Sequence, residues 1–279
     1  MNKKEAEELL PSAPTRSKVN PAALVYLMIG PPKWGKTTFM CSIPDCLLLA
    51  FERGHAFQEA HKIGIAKWAG KHEITEDDEG VRYMTMEQVS NILEATDKFS
   101  FIIFDTADMA AKMCSDYYCQ KFGWDHVSSG GDYGKGYDIG QNTPFRQMVG
   151  AILRTGRGVG FITHSQISTK KLSKGDVSKK ETTLPGGIHK FIHTQADIML
   201  HAEFGPRGER ILRTAGDEDT LAGNRVKGLT LPPRFIVDPK DPWKQWLSFF
   251  NDPKAAAKAA ADLEKISLKS KPKDENETL

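Results

Sequence analysis

The sequence lacks the two features that would tie a protein to a membrane. No apolar run approaches the length of about 20 residues that a membrane span needs. The first residues, Met1-Asn2-Lys3-Lys4, lead into acidic residues instead of the apolar segment of a secretory signal. We therefore expect a cytoplasmic protein with no membrane partner.

Cysteine is also scarce, and neither sign of charge is in large excess. The four cysteines form no C-x-x-C pair, and no histidine cluster completes a zinc site. Reduced thiols of a cytosolic protein are the expected state. The net charge is +2, so any contact with nucleic acid requires a local basic patch.

The residues that are present suffice for a folded domain. The chain has 279 residues, of which 39% are hydrophobic, and this allows one large domain or two small ones. Residues 1–20 are polar and predict a flexible N-terminal arm. Residues 251–279 predict a helix over 253–267, on propensity, followed by a charged disordered tail. The main domain is therefore expected to span residues 21–250.

One stretch carries the clearest chemical signal, which is that of a phosphate-binding P-loop. An apolar run over 24–29 predicts a buried strand. In the G-x-x-x-x-G-K-[ST] spacing there follow Gly30, Pro31, Pro32, Lys33, Trp34, Gly35, Lys36, Thr37 and Thr38. The glycines let backbone amides turn toward an anion, and because proline has no N–H the donors should lie from Lys33 to Thr38.

Two side chains of this loop have predicted roles. Lys36 would reach the β- and γ-phosphates of a nucleotide, and the Thr37 hydroxyl would ligate Mg²⁺. A chance match to the motif is the alternative, and the preceding apolar strand weakens it. The sequence therefore predicts a nucleotide site.

Further apolar runs predict an α/β fold. Strands are expected at 46–51, 81–85, 101–104, 159–163, 196–202 and 210–214. Helices are expected at 36–42, 86–98 and 143–155 and over much of 55–80. Alternation of strands and helices indicates a mostly parallel central sheet with helices on both faces. Ligands bind beyond the carboxyl ends of the strands in such a sheet.

The strand over 101–104 ends in Asp105, which is the form of a Walker B strand. The aspartate of such a strand holds the Mg²⁺ shell. The alternative is a buried strand whose aspartate caps a helix. The P-loop upstream favours a metal role for Asp105.

Two other strand ends carry polar residues. Hydrolysis needs a group that activates water, and Thr106 occupies the position after Asp105. Glu52, at the end of the 46–51 strand, is the best candidate for that group. The alternative is a surface glutamate paired with Arg53.

The end of the 159–163 strand is the other polar strand end. Thr163, His164 and Gln166 could sense the γ-phosphate by hydrogen bonds. An ordinary polar cluster at a strand end is the alternative.

Together these motifs resemble the core of a RecA-type ATPase. The resemblance rests on the P-loop, Glu52, Asp105 and the elements Asp132-Tyr133-Gly134 and Thr163-His164-Ser165-Gln166. Over roughly residues 20–240 the chain is similar to the small phage-encoded RecA-like ATPases, some of which are single-strand annealing recombination proteins.

The resemblance implies a RecA-like P-loop NTPase fold with a late antiparallel extension of the sheet. It implies ATP and Mg²⁺ as ligands, Glu52 as the carboxylate that activates water and Asp105 as a residue of the Mg²⁺ shell. It also implies a homo-oligomer, as ring or filament, that acts on single-stranded DNA, with a single-strand binding protein as a further partner. A phage-encoded protein of this kind would work in the host cytoplasm.

Gly223-Asn224-Arg225-Val226-Lys227-Gly228 resembles the Lys-Asn-Arg-x-Gly element of RecA-like ring ATPases, in which the arginine reaches the neighbouring subunit's phosphate. Gly223 replaces the lysine, and one extra residue precedes Gly228. A trans role for Arg225 would make hydrolysis depend on assembly. A solvated basic hairpin is the alternative.

Two central loops face nucleic acid in RecA-like proteins, and their equivalents here lie at about 123–142 and 167–190. In the first loop, Tyr133 and Tyr137 could stack on bases beside Lys135. The second is lysine-rich and is expected to be mobile. Its candidates for phosphate contact are Lys170, Lys171, Lys174, Lys179 and Lys180. Two exposed loops of ordinary charge are the alternative.

Three hypotheses about function follow. The first is an oligomeric ATPase that acts on single-stranded DNA in phage recombination, annealing or replication. The second is a P-loop kinase of a small molecule or nucleotide. The third is a nucleotide-gated binding module with little hydrolysis.

Overall fold

The apolar runs of the sequence form the central strands of one sheet. The computed structural model describes residues 19–52, 58–172 and 175–269. Its strands are β1 (Val25–Gly30), β2 (Cys46–Ala50), β3 (His61–Lys67), β4 (Thr75–Glu76), β5 (Arg82–Thr85), β6 (Phe101–Asp105), β7 (Gly158–Leu172), β8 (Gly175–Thr182), β9 (Ile198–Phe204), β10 (Arg210–Arg213), β11 (Gly223–Asn224) and β12 (Arg234–Ile236).

Helices cover both faces of this sheet. They are α1 (Lys36–Cys41), α2 (Met86–Glu94), α3 (Ala107–Phe122), α4 (Lys135–Tyr137), α5 (Thr143–Arg154), α6 (Gly186–Gln195), α7 (Pro242–Asn251) and α8 (Pro253–Lys269). Within the described ranges, none of the helices has the length and apolar character needed to cross a membrane. Helix α8 covers the helix predicted over 253–267.

The strand order puts the P-loop strand in the middle of the sheet. The order is β12-β10-β9-β1-β7-β6-β2-β3-β5-β4, with β11 on β9 and β8 on β7. Strands β9, β1, β7, β6, β2, β3 and β5 run parallel, whereas β10 and β12 pair antiparallel at the late edge. The predicted α/β fold, with its mostly parallel sheet and late antiparallel strands, is confirmed.

Alternate residues of the central strands face two separate cores. Leu27 and Ile29 of β1 pack in the core that α2, α3, α5 and α6 cover. Tyr26 and Met28 pack in the core that α1, α7 and α8 cover. A strand buried on both faces explains why its sequence is an uninterrupted apolar run.

Aromatic rings close the second core. Trp246 of α7 is fully buried, and its ring stacks on Phe235 at a centroid distance of 6.0 Å. Its indole N–H donates to the Tyr26 hydroxyl at 3.3 Å, and that hydroxyl donates to the Pro21 carbonyl at 2.8 Å. The polar atoms of both aromatic side chains are therefore satisfied inside the core.

The helix expected over much of 55–80 is wrong for the part that the structure describes. Residues 61–67 form β3, which pairs in parallel with β2 and β5. Ile63 and Ile65 lie two residues apart, which is the period of one face of a strand. Gly64 lies under the Tyr83 ring, where an added Cβ would come within 2.3 Å of a ring carbon. Residues 55–57 lie outside the described residues.

The two predicted DNA loops are more regular than expected. Most of 167–190 is not a mobile loop, because it forms the end of β7, the antiparallel strand β8 and the first half of α6. Lys170, Lys171 and Lys179 belong to these strands, but their side chains lie outside the description. Lys174 falls outside it altogether, as do the larger part of the predicted arm and the tail after 269. The stretch 121–143 contains short helical turns around α4.

We expect Trp246→Ala to lower the free energy of unfolding by about 3–5 kcal/mol, because it removes a fully buried ring from a packed core. Phe122→Ala serves as the matched control, since Phe122 is 42% exposed and should cost about 1 kcal/mol or less. Urea unfolding of both variants measures the difference. Equal losses would contradict the assignment of Trp246 to the core.

Candidate functional site

The carboxyl ends of four parallel strands meet at one edge of the sheet. Gly30 of β1 pairs in register with His164 of β7, and Ala50 of β2 pairs with Asp105 of β6. Glu52 follows β2 by two residues. The structure thus brings together the strand ends that the sequence singled out, apart from Gln166.

The P-loop follows β1 in a conformation that glycine permits. Gly35 has φ 98° and is the N-cap of α1, while Lys33 also has a positive φ, at 62°. Gly30 packs so closely on β9 that an added Cβ would lie 2.5 Å from the Cβ of Ala202. The buried Trp34 donates its indole N–H to the Glu203 carbonyl at 2.8 Å. These contacts hold the loop against β9.

The ammonium group of Lys36 lies inside the curve of the loop. It donates to the carbonyls of Gly30 and Pro31, both at 2.8 Å, and lies 3.5 Å from His164 Nδ1. Burial lowers the pKa of Lys36 from 10.5 to about 8, against the opposing charges of Asp105, Asp108 and Glu52. A positive group held partly dehydrated at this place is suited to receive an anion.

Thr37 and Asp105 form the second contact of the site. The Thr37 hydroxyl donates to Asp105 Oδ2 at 2.9 Å. Asp105 is 7% exposed, and burial is the main cause that raises its carboxyl pKa. Hydroxyl and carboxylate oxygens are the hard ligands that Mg²⁺ prefers, and Mg²⁺ is usually bound by one or two protein ligands together with phosphates. This pair therefore fits the predicted metal role.

In the described part of the chain, no group of three or more His, Cys, Asp or Glu side chains could hold a metal ion.

Glu52 lies beside the pair with an exposed side chain. Its charge acts on both Lys36 and Asp105 and tends to raise the pKa of each. A carboxylate that is close to the phosphate-binding lysine and open to water is suited to orient a water molecule.

The strand end over 163–164 is held by an aspartate that the sequence reasoning missed. Asp108, in the first turn of α3, accepts the Thr163 hydroxyl at 2.7 Å and the His164 amide at 3.0 Å. It also accepts the Thr183 hydroxyl at 2.5 Å. The sequence did contain a signal for Asp108, because this residue follows Asp105 by three positions on the same strand–helix connection.

Arg210 is a second residue that the sequence reasoning missed. An added Cβ on Gly35 would lie 3.0 Å from Arg210 Nη1, so the guanidinium rests against the P-loop. Phe204, which is 49% exposed, pairs with Arg210 across β9 and β10. No local pattern could reveal this contact, because it depends on how two late strands pack beside β1.

Gln166 does not contact the phosphate-binding groups. Its side chain is exposed, and its amide donates to the Thr182 carbonyl at 3.4 Å across the β7–β8 hairpin. The structure therefore offers no contact through which Gln166 would sense a phosphate held by Lys36. His164 occupies that place instead.

Arg225 lies at the opposite edge of the sheet. Its guanidinium donates to Asp197 Oδ1 at 2.8 Å and to the carbonyls of Thr194 and Gln195 at 2.8 and 2.9 Å. Asp197 in turn accepts the amide of Val25, at the start of β1. These three contacts within the chain count against the predicted role of Arg225 at a neighbour's phosphate.

The described candidates for DNA contact lie on the surface. Tyr133 is fully exposed at φ 54°, and Lys135 and Tyr137 are exposed close by. Gly136 packs this turn onto the Val127 carbonyl, where an added Cβ would come within 1.9 Å. Lys180 is partly exposed and lies 3.7 Å from Glu203.

Comparison with known proteins gives the family. The profile of AAA_24, described as an AAA domain, matches residues 22–226. Since the match covers more than half of the chain, the chain belongs to this family and carries an AAA-type P-loop ATPase domain. No match was found among curated proteins.

Solved structures with a similar fold include two that are described as a recombinase and a KaiC-like protein. The crystal structure of the RadB recombinase is 12% identical and gives a TM-score of 0.39 over 79% of this chain and 90% of that chain. A KaiC-like protein from Pyrococcus horikoshii OT3 is 10% identical, with a TM-score of 0.40 over 79% of this chain and 88% of that chain.

The depressed pKa of Lys36 predicts a pH dependence of stability. Below pH 8 the amine is protonated in both the folded and the unfolded state. Above pH 8 the folded state loses this proton first, so the unfolded state binds more protons and stability rises with pH. From pH 7.5 to 9.5, the free energy of unfolding of the wild type should therefore gain roughly 2 kcal/mol relative to Lys36→Met. Urea titrations across this range measure it, and a constant difference would contradict the burial of the charge.

Proposed function

We propose that this chain hydrolyses ATP with Mg²⁺ and acts on single-stranded DNA as a homo-oligomer, in a ring or a filament. The observation that carries the proposal is the convergence of Lys36 with the Thr37–Asp105 pair at the end of β1. A buried cation beside a hydroxyl and a carboxylate is the arrangement that a nucleotide triphosphate with its metal requires.

The chemistry follows from the contacts of each residue. Lys36 would exchange its two carbonyl partners for the β- and γ-phosphates, while the loop amides from Lys33 to Thr38 surround them. Thr37 and Asp105 would hold Mg²⁺, which supplies positive charge to the phosphate oxygens when bound. Glu52 would orient the attacking water, and His164 would meet the terminal phosphate beside Lys36.

Arg210 and Phe204 add a contact on the other side of the loop. The guanidinium lies against the N-cap of α1, and Phe204 is the residue that pairs with Arg210 on the neighbouring strand. This pair would contact the α-phosphate or the base of the same nucleotide, by charge and by stacking.

The DNA part of the proposal rests on surface aromatic and basic groups. Tyr133 presents a whole ring to solvent from a tightly packed turn, which suits stacking on an unpaired base. The β7–β8 hairpin carries the lysine-rich sequence, and it starts from the strand that holds His164. A phage recombination, annealing or replication role, in a host cytoplasm and with a single-strand binding protein, is the setting that we propose.

Substitutions of two lysines of the P-loop test the nucleotide site. Lys36→Ala should weaken ATP binding at least about a hundredfold and abolish turnover, because it removes the charged donor to the phosphates. Lys33→Gly is the matched control, since glycine keeps the amide and suits the φ of 62°. Calorimetric titration and phosphate release measure both.

Full turnover by a folded Lys36→Ala variant would overturn the site. Phosphate transferred to an acceptor instead of to water would indicate a kinase. Binding without any turnover, unchanged by Glu52→Gln, would indicate a nucleotide-gated module.

The proposed DNA role predicts that affinity for single-stranded DNA falls when the ring of Tyr133 is removed, and that it does not fall when another exposed ring is removed. Tyr133→Ala should weaken binding of single-stranded DNA about 5- to 100-fold, the effect of losing one stacked base, and should reduce DNA-stimulated turnover at limiting DNA. Phe122→Ala, which also removes an exposed ring, should change neither. Fluorescence anisotropy with labelled oligonucleotides at fixed salt measures the affinity. Equal affinities of Tyr133→Ala and the wild type would remove this turn from the interface.

A further inference from the structure

Asp108 stands out because its carboxylate accepts hydrogen bonds from both sides of the base of the β7–β8 hairpin. Three donors converge on it from β7 and from the residues just after β8. It lies in the first turn of α3, three residues after Asp105, and its charge also acts on the pKa of Lys36.

The first set of contacts fixes the strand end beside Lys36. Asp108 Oδ2 accepts the backbone N–H of His164 at 3.0 Å, and Oδ1 accepts the Thr163 hydroxyl at 2.7 Å. The His164 ring lies 3.5 Å from the Lys36 ammonium. Asp108 therefore holds the backbone of His164, the residue whose ring lies next to the phosphate-binding amine.

The second set of contacts holds the return strand of the hairpin. The Thr183 hydroxyl donates to Asp108 Oδ1 at 2.5 Å, and the Thr183 amide donates to the His164 carbonyl at 3.0 Å. The Thr182 and Thr163 hydroxyls lie 2.7 Å apart inside the protein. Because Thr163 gives its proton to Asp108, the Thr182 hydroxyl is the donor of that contact.

Lys180 makes a charged contact of a different kind near the base of the hairpin. Lys180 lies 3.7 Å from Glu203, which also binds Arg213 at 3.3 Å. That contact ties the hairpin to β9 and β10 and involves none of the residues that bind Lys36. The Asp108 contacts, in contrast, join Thr183 to the strand end that lies beside Lys36, together with the bond from the Thr183 amide to the His164 carbonyl.

We propose that Asp108 is the positioning residue that holds His164 at the nucleotide site and, through Thr182 and Thr183, ties the base of the β7–β8 hairpin to it. The inference rests on the proposed binding of ATP at the P-loop. A phosphate bound to Lys36 restrains the His164 ring, and the same restraint passes through Asp108 to the hairpin backbone. Nucleotide binding therefore protects the hairpin base against local opening.

Amide hydrogen exchange tests this without DNA and without turnover. Exchange of the segments 164–168 and 180–184 is followed by mass spectrometry, with and without a non-hydrolysable ATP analogue and Mg²⁺. Binding of the analogue is measured separately by calorimetry. In the wild type, exchange of these segments should slow about 5- to 100-fold on binding, the usual range of coupling between two sites.

Asp108→Asn should bind the analogue and lose this protection, because an amide cannot accept from all three donors. Asp116→Asn is the matched control on the same helix, since Asp116 is exposed and pairs with Lys112, and it should keep the full protection. Thr183→Val removes one of the donors at an exposed position and should lose part of the protection even if Asp108→Asn does not fold.

The outcomes separate this inference from the proposed function. Equal protection in the wild type, Asp108→Asn and Thr183→Val would overturn the role of Asp108 and leave the nucleotide site intact. Analogue binding without protection in the wild type would have the same consequence. Failure of the wild type to bind the analogue would overturn the proposed function itself, and this inference with it.

Discussion

The burial of one positive charge determines the chemistry of this edge of the sheet. Lys36 is 5% exposed and is held by two loop carbonyls, so its ammonium has given up most of its water. Three carboxylates, those of Asp105, Asp108 and Glu52, lie close enough to act on its pKa. The P-loop, the end of β6 and the end of β7 are arranged around this group.

The fold explains why the charge can be held there. The close approach of Gly30 to Ala202 and the indole contact of Trp34 fix the loop against β9. The two cores that cover β1 make its position rigid, since neighbouring strands and helices pack on both of its faces. The site therefore lies on packed elements of the sheet, whereas Tyr133 is fully exposed on the surface.

Much of this arrangement could be predicted from local patterns. The P-loop spacing and the apolar run that ends in Asp105 predicted where two strands end. Parallel strands bring these ends together at one edge of the sheet. Strand β3 was missed because Ile63 and Ile65 are its main apolar signal, and a short alternating stretch resembles part of a helix. The β7–β8 hairpin was missed because its lysine-rich sequence lacks the apolar pattern that would predict a strand. The segment forms β8 because it pairs with β7.

The errors at the site have a common cause, which is that tertiary contacts are invisible in the sequence. Asp108 and Arg210 contact groups that are 55 or more positions away in the sequence, and the guanidinium of Arg225 binds Asp197 at the far edge of the sheet.

The most direct measurement is a crystal structure with Mg²⁺ and a non-hydrolysable ATP analogue. The account predicts that Lys36 leaves the Gly30 and Pro31 carbonyls for the phosphates, and that Thr37 faces the metal. An analogue bound elsewhere, with Lys36 still on those carbonyls, would contradict it.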